Sequence, residues 1–325
     1  MYFIKKRKSK RLILREEVKI NCVFQAQKFN KEGIITYQGP KFHNTIFDSG
    51  LDLLHEGVLR VGDRLGPWGG AGDYINVGTG SSTPATSQTG LDSFLASTGN
   101  IYGSLSKNSD TSIPRHVWQT AVFEFAIGSC TGNLTEVGLS SAENSNYFNR
   151  QLFKDAEGSP TTITVLADEG LRVTATLYLY EDLAPGDTET GSFLFNGTDT
   201  INFTREKSTD TDWLTADVDA LVNFRAGQMQ IAELSGETDL FIGGTTADSV
   251  TAKTYSSGDY YLDYDYVWNA ASFVGDIASI HFPFLHLYRQ YADPFSAFRL
   301  SPVITLTDTE EFRLTLRRGW GRYVA

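Results

Sequence analysis

A stretch of ten residues with strict alternation constrains the fold of this chain more than any other part of the sequence. Between positions 171 and 180, Leu, Val or Ala occupies every odd position, and Arg, Thr or Tyr occupies every even position. Because successive side chains of a strand point to opposite faces of its sheet, this period of two predicts a strand with one buried face. Asp168, Glu169 and Gly170 precede the stretch and are typical of a turn, so we predict a hairpin with a second strand at residues 162–165.

Other segments favour strands as well. Apolar residues alternate in the same way further upstream, at Ala121, Phe123, Phe125 and Ile127. Aromatic residues make up 13% of the chain, and broad or β-branched side chains suit pleated, half-buried surfaces. Residues 62–112 are rich in Gly, Ser and Thr, a composition typical of loops. The sequence therefore predicts an all-β fold of β-sandwich, jelly-roll-like modules with long Gly/Ser/Thr-rich loops and a few short helices.

A repeated pattern suggests how these modules are ordered. Residues 163–174 and 304–315 match without gaps in their apolar, Thr, Glu and Arg positions. Upstream of each lie further echoes, Val117-Trp118 with Val267-Trp268 and Arg150-Gln151 with Arg289-Gln290. These matches favour a duplication, although two hairpins can converge on one pattern. We predict four segments: a basic N-terminal arm at 1–21, an N-terminal β domain at 22–181, an acidic β and loop insert at 182–265, and a C-terminal β module at 266–325 that is a candidate duplicate of residues 114–181.

The charge of the chain is unevenly distributed. The net charge is −11, yet residues 1–21 contain eight Lys or Arg against two Glu, so the arm carries +6 and the remainder −17. The basic residues of the arm that we predict to bind a partner are Lys5, Lys6, Arg7, Lys8, Lys10 and Arg11. Because apolar residues flank this cluster on both sides, we predict that the arm contacts another protein chain and does not fold back on its own body. Nucleic acid is not predicted as a partner, since the acidic body would repel phosphates and no base-reading motif accompanies the arm.

The sequence also bears on the compartment in which the chain folds. No stretch approaches the roughly 18 uninterrupted apolar residues of a membrane span, and only three apolar residues separate the basic cluster from Arg15. We therefore expect no membrane insertion, and synthesis and folding in a cytoplasm. Two cysteines, Cys22 and Cys130, are too few for a disulfide framework, so we expect both to be buried thiols.

The short motifs of common catalytic and cofactor sites do not occur in the sequence. The Gly-rich loops lack the Lys-Ser/Thr of a phosphate-binding loop, and there is no Gly-x-Ser-x-Gly, Cys-x-x-Cys or His-x-x-x-His pattern. We therefore predict no catalytic residue, no cofactor and no metal ligand. Glycoside hydrolysis is the enzymatic alternative, because it needs only two carboxylates at a suitable separation. The candidate pairs are Asp210 and Asp212, Asp217 and Asp219, and Asp263 and Asp265, which would otherwise be solvated side chains of strands.

Tyr and Asp alternate at the end of the acidic insert. Aromatic rings can stack on sugar rings, and carboxylates accept hydrogen bonds from hydroxyl groups. The candidate glycan-binding residues are Tyr260, Tyr261, Asp263, Tyr264, Asp265 and Tyr266. The alternative interpretation is that these aromatic residues pack between sheets or between subunits.

A succession of short motifs resembles a known class of proteins. The motifs are Asn44-Thr45-Ile46-Phe47-Asp48-Ser49-Gly50-Leu51-Asp52, Ile75-Asn76-Val77-Gly78-Thr79-Gly80, Leu134-Thr135-Glu136-Val137-Gly138-Leu139, Asn149-Arg150-Gln151-Leu152, and Thr162-Ile163-Thr164-Val165 with Glu169 and Leu171-Arg172-Val173. This succession, over residues 34–180, is similar to virion structural proteins of tailed bacteriophages, such as tail, tail-fibre and baseplate components. The resemblance implies symmetric assembly with copies of itself and with other virion proteins, production in the cytoplasm of the bacterial host, and no catalytic residues.

Three hypotheses of function follow from the sequence. The leading hypothesis is a non-enzymatic structural component of a phage virion, in the tail as a fibre, baseplate or adaptor component. The alternative is a tail adhesin that binds a glycan of the host surface through the Tyr and Asp segment. The third, from a different class, is a polysaccharide-degrading tail enzyme.

Overall fold

The computed structural model of the chain describes residues 9–56, 58–59, 72–110, 116–181, 188–195, 199–207, 222–223, 230–232, 245–269, 275–282 and 296–323. These residues form one short α-helix, α1 (Asp48–Asp52), a single 3₁₀ turn (Leu53–Glu56) and 24 strands. The strands are β1 (Ser9–Phe29), β2 (Ile35–His43), β3 (Thr45–Ile46), β4 (Val58–Leu59), β5 (Tyr74–Gly78), β6 (Phe94–Thr98), β7 (Ser106–Asp110), β8 (His116–Phe125), β9 (Gly132–Leu134), β10 (Glu136–Ala142), β11 (Ser145–Tyr147), β12 (Asn149–Leu152), β13 (Ile163–Val165), β14 (Gly170–Glu181), β15 (Thr188–Phe195), β16 (Asp199–Lys207), β17 (Val222–Asn223), β18 (Gln230–Ala232), β19 (Thr245–Thr246), β20 (Ser249–Ala252), β21 (Tyr261–Trp268), β22 (Gly275–Phe282), β23 (Ser296–Leu306) and β24 (Glu311–Arg322). The prediction of an all-β fold is confirmed.

The main sheet is built around β1 and curls into a half barrel. Its strand order is β20-β21-β24-β1-β14-β8-β7, and β2 pairs with a second stretch of the β1 edge. The first half of β1 runs parallel to β24, from Ser9 opposite Glu311 to Ile20 opposite Arg322. Its second half runs antiparallel to β14. A single long strand therefore joins the beginning, the middle and the end of the chain.

One face of the main sheet supplies much of the core. The odd-numbered residues of β14 from Leu171 to Leu179 are completely buried, as their alternation predicts. Removing such apolar surface from water is the main favourable contribution to folding. Cys22 and Cys130 are buried free thiols, as expected, and burial raises the pKa of each to about 12.

Two further six-stranded sheets close the core. One has the order β3-β12-β10-β5-β6, with β11 also on β10, and the other has the order β15-β16-β23-β22-β18-β19. Buried residues of all three sheets belong to one continuous hydrophobic cluster. β5, β6 and β7 lie within the Gly-rich region 62–112, so the described part of that region is only partly loop. At least one glycine of this region is required by close packing. A Cβ on Gly78, the last residue of β5, would lie 2.3 Å from the Ser93 carbonyl oxygen.

The predicted hairpin is wrong, and the same correction applies to both copies of the repeated pattern. β13 pairs with β9, whereas β14 pairs with β1 and β8. β23 pairs with β22 and β16, whereas β24 pairs with β21 and β1. The turn in each copy thus connects two different sheets. Since neighbouring strands already occupy both edges of β14 and of β24, neither has an edge left for the strand that precedes it.

The predicted arm needs a correction as well. Residues 9–21 are the first half of β1 and pair with strands of the same chain, so the prediction that residues 1–21 do not fold back is wrong for residues 9–21. The apolar flank 12–14 lies within this strand and pairs with residues 314–316 of β24. Residues 1–8 lie outside the described part of the chain. The division into four segments stays a prediction.

Candidate binding cleft

A polar cleft opens where the start of β21 lies beside the end of β24. Its volume is about 590 Å³, which is within the range of small-molecule sites. The residues that line it are Glu17, Leu51, Glu189, Arg205, Asp259, Tyr260, Tyr261, Arg317, Gly319, Trp320, Gly321 and Arg322. Tyr260 and Tyr261 are two of the residues that the sequence analysis singled out.

A stack of rings supports the wall of the cleft to which Trp320 belongs. Trp320 is buried, its indole N–H donates to the Leu51 carbonyl oxygen at 2.9 Å, and its ring stacks on Tyr255 with centroids 5.9 Å apart. The other side of Tyr255 stacks on His55 at 4.3 Å. Through Leu51 and His55, this wall is attached to the helical segment 48–56, which consists of α1 and the 3₁₀ turn.

Asp52 fixes the turn that leads into the cleft. One carboxylate oxygen accepts from the Tyr255 hydroxyl at 2.5 Å and from the Gly258 N–H at 2.8 Å, and the other accepts from the Ser257 hydroxyl at 2.6 Å. Burial alone would raise the pKa of Asp52, but these three hydrogen bonds outweigh it and hold the pKa below its usual value. The carboxylate thus stays ionised and immobilises the turn at neutral pH.

The fixed turn forces Tyr260 into a backbone conformation that is uncommon for a residue with a side chain. Its φ angle is +53°, in the left-handed region that usually costs about 1 kcal/mol or more. The backbone N–H of Trp320 donates to the Tyr260 carbonyl oxygen at 2.9 Å and holds the residue there. In this conformation Tyr260 lines the cleft.

Each arginine of the cleft faces a carboxylate. Arg317 donates to both oxygens of Asp263, at 2.8 and 3.0 Å, and its guanidinium lies 3.6 Å from the centre of the Tyr261 ring. The other two arginine pairs are Arg205 with Glu189 at 3.3 Å and Arg322 with Asp48 at 2.5 Å. The positive charges of the lining are therefore balanced within the protein.

The Tyr and Asp segment is divided between two faces of β21. Tyr264 and Tyr266 are buried in the core, as is Trp268, so the two tyrosines have no ring surface to offer a glycan. The glycan prediction is left to Tyr260, Tyr261, Asp263 and Asp265. This division follows from the period-two geometry of a strand, which places Tyr264 and Tyr266 on the buried face and Tyr261, Asp263 and Asp265 on the other.

The two aspartates of this segment are held by neighbours on both sides of β21, on β24 and next to β20. Lys253 lies 3.7 Å from Asp263 and 3.5 Å from Asp265, and the Thr315 hydroxyl donates to Asp265 at 2.5 Å. The hydrogen bonds from Arg317 lower the pKa of Asp263. An acid with a lowered pKa is a poor proton donor at neutral pH, which argues against Asp263 as the general acid of a glycosidase. The other predicted pairs, Asp210 with Asp212 and Asp217 with Asp219, lie outside the described residues.

A buried ion pair elsewhere was missed in the sequence. Arg150 and Glu136 are both fully buried, and the Arg150 Nε donates to Glu136 at 2.6 Å. The same carboxylate accepts from the backbone N–H groups of Gly80, Asp92 and Ser93. The remaining Arg150 nitrogens donate to Ser82, Gln88 and Asp92. This network fastens the loop 80–93 to the sheet and is saturated by internal partners, so it is structural.

The remaining predictions of the sequence concern the arm, metals and membranes. Four arm residues, Lys5, Lys6, Arg7 and Lys8, lie outside the described residues. Lys10 and Arg11 pair through their backbones with Phe312 and Arg313, and their binding to a partner stays a prediction. Within the described ranges, no group of three or more His, Cys, Asp or Glu side chains could hold a metal ion. No helix in that part of the chain is long and apolar enough to cross a membrane.

Comparisons with known proteins give no family for the chain. No protein-family model, no curated protein and no solved structure matches it.

Proposed function

We propose that this chain is a non-enzymatic structural component of a phage virion, in the tail as a fibre, baseplate or adaptor component. In this role it assembles with copies of itself and with neighbouring virion proteins. The virion context comes from the resemblance of residues 34–180. The structural observation that supports assembly is a set of exposed aliphatic side chains near one end of the main sheet, on that sheet and on two neighbouring ones.

These side chains form what we name the end patch, and each is between 38% and 61% exposed. Its members are Ile34, Ile35, Leu95, Ile127 and Leu166. A continuous exposed aliphatic surface is typical of protein interfaces, because burying it against a partner removes it from water at a gain in free energy.

Strand pairing and turn contacts bring the members of the end patch to the same region. Ile35 pairs with Phe29, and Phe29 pairs with Gly170 at the start of β14. The Gly128 N–H, next to Ile127, donates to the Glu169 carbonyl oxygen at 3.1 Å, and Leu166 begins that same turn. The Cδ2 atom of Leu95 lies 3.5 Å from the position of a Cβ on Gly132, whose strand pairs with Val165.

The test is incorporation of the chain into particles. A tagged chain is expressed in infected cells beside the Ile34→Ser/Ile127→Ser double variant, with Val303→Ser as the control because Val303 is also exposed but lies on β23. We expect the wild-type chain and the control on purified particles, at regular positions in electron micrographs, and the double variant in much reduced amount. A wild-type chain that is absent from particles would contradict the virion role. A double variant that is incorporated as well as wild type would remove the end patch from the argument.

The non-enzymatic part of the proposal has its own test. Purified chain is incubated with capsular polysaccharide or lipopolysaccharide of a host, and new reducing ends are measured over time. We expect none above the level of a heat-denatured control. Turnover that Asp263→Asn or Asp265→Asn abolishes would favour the polysaccharide-degrading enzyme instead.

A further inference from the structure

The cleft has the balance of charge and the rigidity of a ligand site, which an assembly role does not require. We infer that it binds a neutral sugar, a pyranose unit without carboxylate or sulfate, with Tyr260 and Tyr261 as the ring-contacting residues. This inference goes beyond assembly and does not depend on it.

Charge compensation selects the chemical class of the ligand. The three arginines of the lining each face a carboxylate, as described above, whereas Asp259 and Glu17 add further negative charge to the lining. Glu17 lies within hydrogen-bonding distance of Lys19, which balances one of these two. An anionic ligand would therefore face the Asp259 carboxylate without gaining an uncompensated arginine, at a cost in free energy.

Hydroxyl groups suit the same lining. A hydroxyl both donates and accepts, so one sugar hydroxyl can accept from a guanidinium and donate to the carboxylate beside it. The Arg205–Glu189 pair presents a donor next to an acceptor in the lining of the cleft, and Arg317 lines the cleft as well. Arg205 is 2% exposed and thus fixed in position.

The tyrosines supply the apolar contact that a sugar ring needs. Both side chains are half-buried, so part of each remains open to the cleft. The Arg317 guanidinium lies 3.6 Å from the centre of the Tyr261 ring and covers one of its faces. Because this contact already restricts the ring, little conformational entropy is lost when a ligand binds. Tyr260 is held by its backbone, through the turn that Asp52 fixes. A preorganised site loses less conformational entropy on binding than a mobile one.

The experiment uses the full chain and a panel of immobilised oligosaccharides. The panel contains neutral glucose-, galactose- and mannose-based glycans and, as matched partners, the same glycans with glucuronic acid in place of a neutral unit. We expect binding to at least one neutral glycan and at least roughly fivefold weaker binding to its acidic partner. Titration in solution with the free neutral glycan then gives the Kd of each variant.

The variants separate the cleft from the rest of the surface. Tyr261→Ala should weaken binding of the neutral glycan roughly tenfold, in line with the loss of an aromatic contact. Tyr102→Ala is the control, because Tyr102 is exposed and also carries an arginine over its ring, at 3.5 Å, but lies outside the cleft. Asp259→Lys should bring binding of the acidic glycan to within about twofold of the neutral one.

Three outcomes would overturn the inference. The first is no binding to any neutral glycan of the panel at millimolar concentration. The second is a preference for the acidic partners by the wild-type chain. The third is equal affinity of wild type and Tyr261→Ala with a correctly folded variant. None of them bears on particle incorporation, so the assembly role stands or falls separately.

Discussion

The two copies of the repeated pattern form turns of the same construction, but their exposed tips differ. We name residues 163–174 the first turn unit and residues 304–315 the second turn unit. In each, a glutamate closes the turn: Glu169 accepts from the Leu166 N–H at 3.0 Å, and Glu310 accepts from the Thr307 N–H at 3.1 Å. The glutamate N–H donates back to the carbonyl oxygen of the same residue in both units. The shared sequence pattern therefore encodes a shared local structure.

The surroundings of the two units mirror each other about β1. Outward from β1 the order is β14-β8-β7 on one side and β24-β21-β20 on the other. β14 is antiparallel to β1 and β24 is parallel to it, so the two outer sets run in opposite directions. This agreement in strand order is what a duplication would produce, yet the Trp echo is out of register. Trp118 lies opposite Tyr178, the ninth position of β14, whereas Trp268 lies opposite Phe312, the second position of β24. The duplication stays a hypothesis.

The exposed tips of the two units differ most. Leu166 and Ala167 stand where Thr307 and Asp308 stand in the second unit, and Leu166 belongs to the end patch. Glu169 also binds the Lys28 ammonium through both oxygens at 3.0 Å, whereas Glu310 accepts from the Thr307 hydroxyl at 3.1 Å. The shared pattern thus specifies the structure of the turn. The side chains exposed at its tip are those of residues that differ between the two copies.

We expect the largest loss of stability when the core residue that follows each turn is replaced by alanine. Phe312 and Leu171 occupy equivalent places and are both fully buried, and the Phe312 ring packs against Trp268 at 5.4 Å. Phe312→Ala should cost roughly 3–5 kcal/mol and Leu171→Ala roughly 2–5 kcal/mol of unfolding free energy. Denaturant unfolding monitored by fluorescence measures both, with Leu171→Met as a volume-conserving control that should cost less than about 1.5 kcal/mol. A loss below about 1 kcal/mol for either alanine variant would show that its unit does not pack as described.

The next comparison removes the glutamate that closes each turn. Glu169→Ala should destabilise the chain by roughly 1.5–3 kcal/mol, because it removes a charged hydrogen bond and leaves the largely buried Lys28 without this partner. Glu310→Ala should cost roughly 0.5–1.5 kcal/mol, the usual value for hydrogen bonds in a more exposed setting. The same unfolding measurement decides the order. Equal losses would mean that the Lys28 contact contributes nothing and that the two turns are energetically alike.

The sequence predicted correctly which face of a strand is buried, but it did not predict which strands pair with each other. Alternation identified the buried positions of β14, because side-chain direction in a strand depends only on local geometry. It could not show that β13 pairs with β9, since pairing depends on which edges are free in the assembled sheets. The same limit applies to the cleft, where Tyr260 and Tyr261 were found but Arg205, Trp320 and Leu51 come from distant parts of the chain. The Arg150–Glu136 network was missed because its members meet only after the loop 80–93 folds against the sheet.

The pH dependence of the first turn unit gives a smaller effect. The Leu166 N–H and then the Lys28 ammonium hold the pKa of Glu169 below its usual value. A lowered pKa means that this carboxylate contributes stability above about pH 4.3, and that the contribution is lost as the pH falls through the folded-state value. Glu169→Gln cannot titrate, so its stability should fall less steeply than that of wild type between about pH 5 and pH 3. Lys28→Met should give an intermediate slope. Identical slopes for all three chains would show that Glu169 gains no stability from its charge.

We expect the smallest effect on stability when one residue is exchanged between the tips of the two turn units. This exchange tests whether the difference between the tips has a function. Leu166→Thr gives the first turn unit the tip of the second, and Thr307→Leu does the reverse. Both residues are at exposed turns, so each variant should stay within about 0.5 kcal/mol of wild type in unfolding free energy. The two variants should nonetheless differ in how strongly the purified chain associates with itself. Because Leu166 is one of the exposed aliphatic residues that we assign to the end patch, its loss should weaken association of the purified chain roughly tenfold.

Sedimentation over a range of concentrations measures this association, and the reverse variant gives the contrast. Thr307→Leu places a leucine beside Asp308 and Thr309, where the adjacent tip residues are polar, so association should not strengthen. If Leu166→Thr associates as tightly as wild type, the end patch is not an interface between copies. If Thr307→Leu strengthens association by as much as Leu166→Thr weakens it, any exposed leucine suffices, and the position of the first tip within the patch has no special role. Only the pair of results, a loss at the first tip and no gain at the second, ties association to the place that the fold gives Leu166.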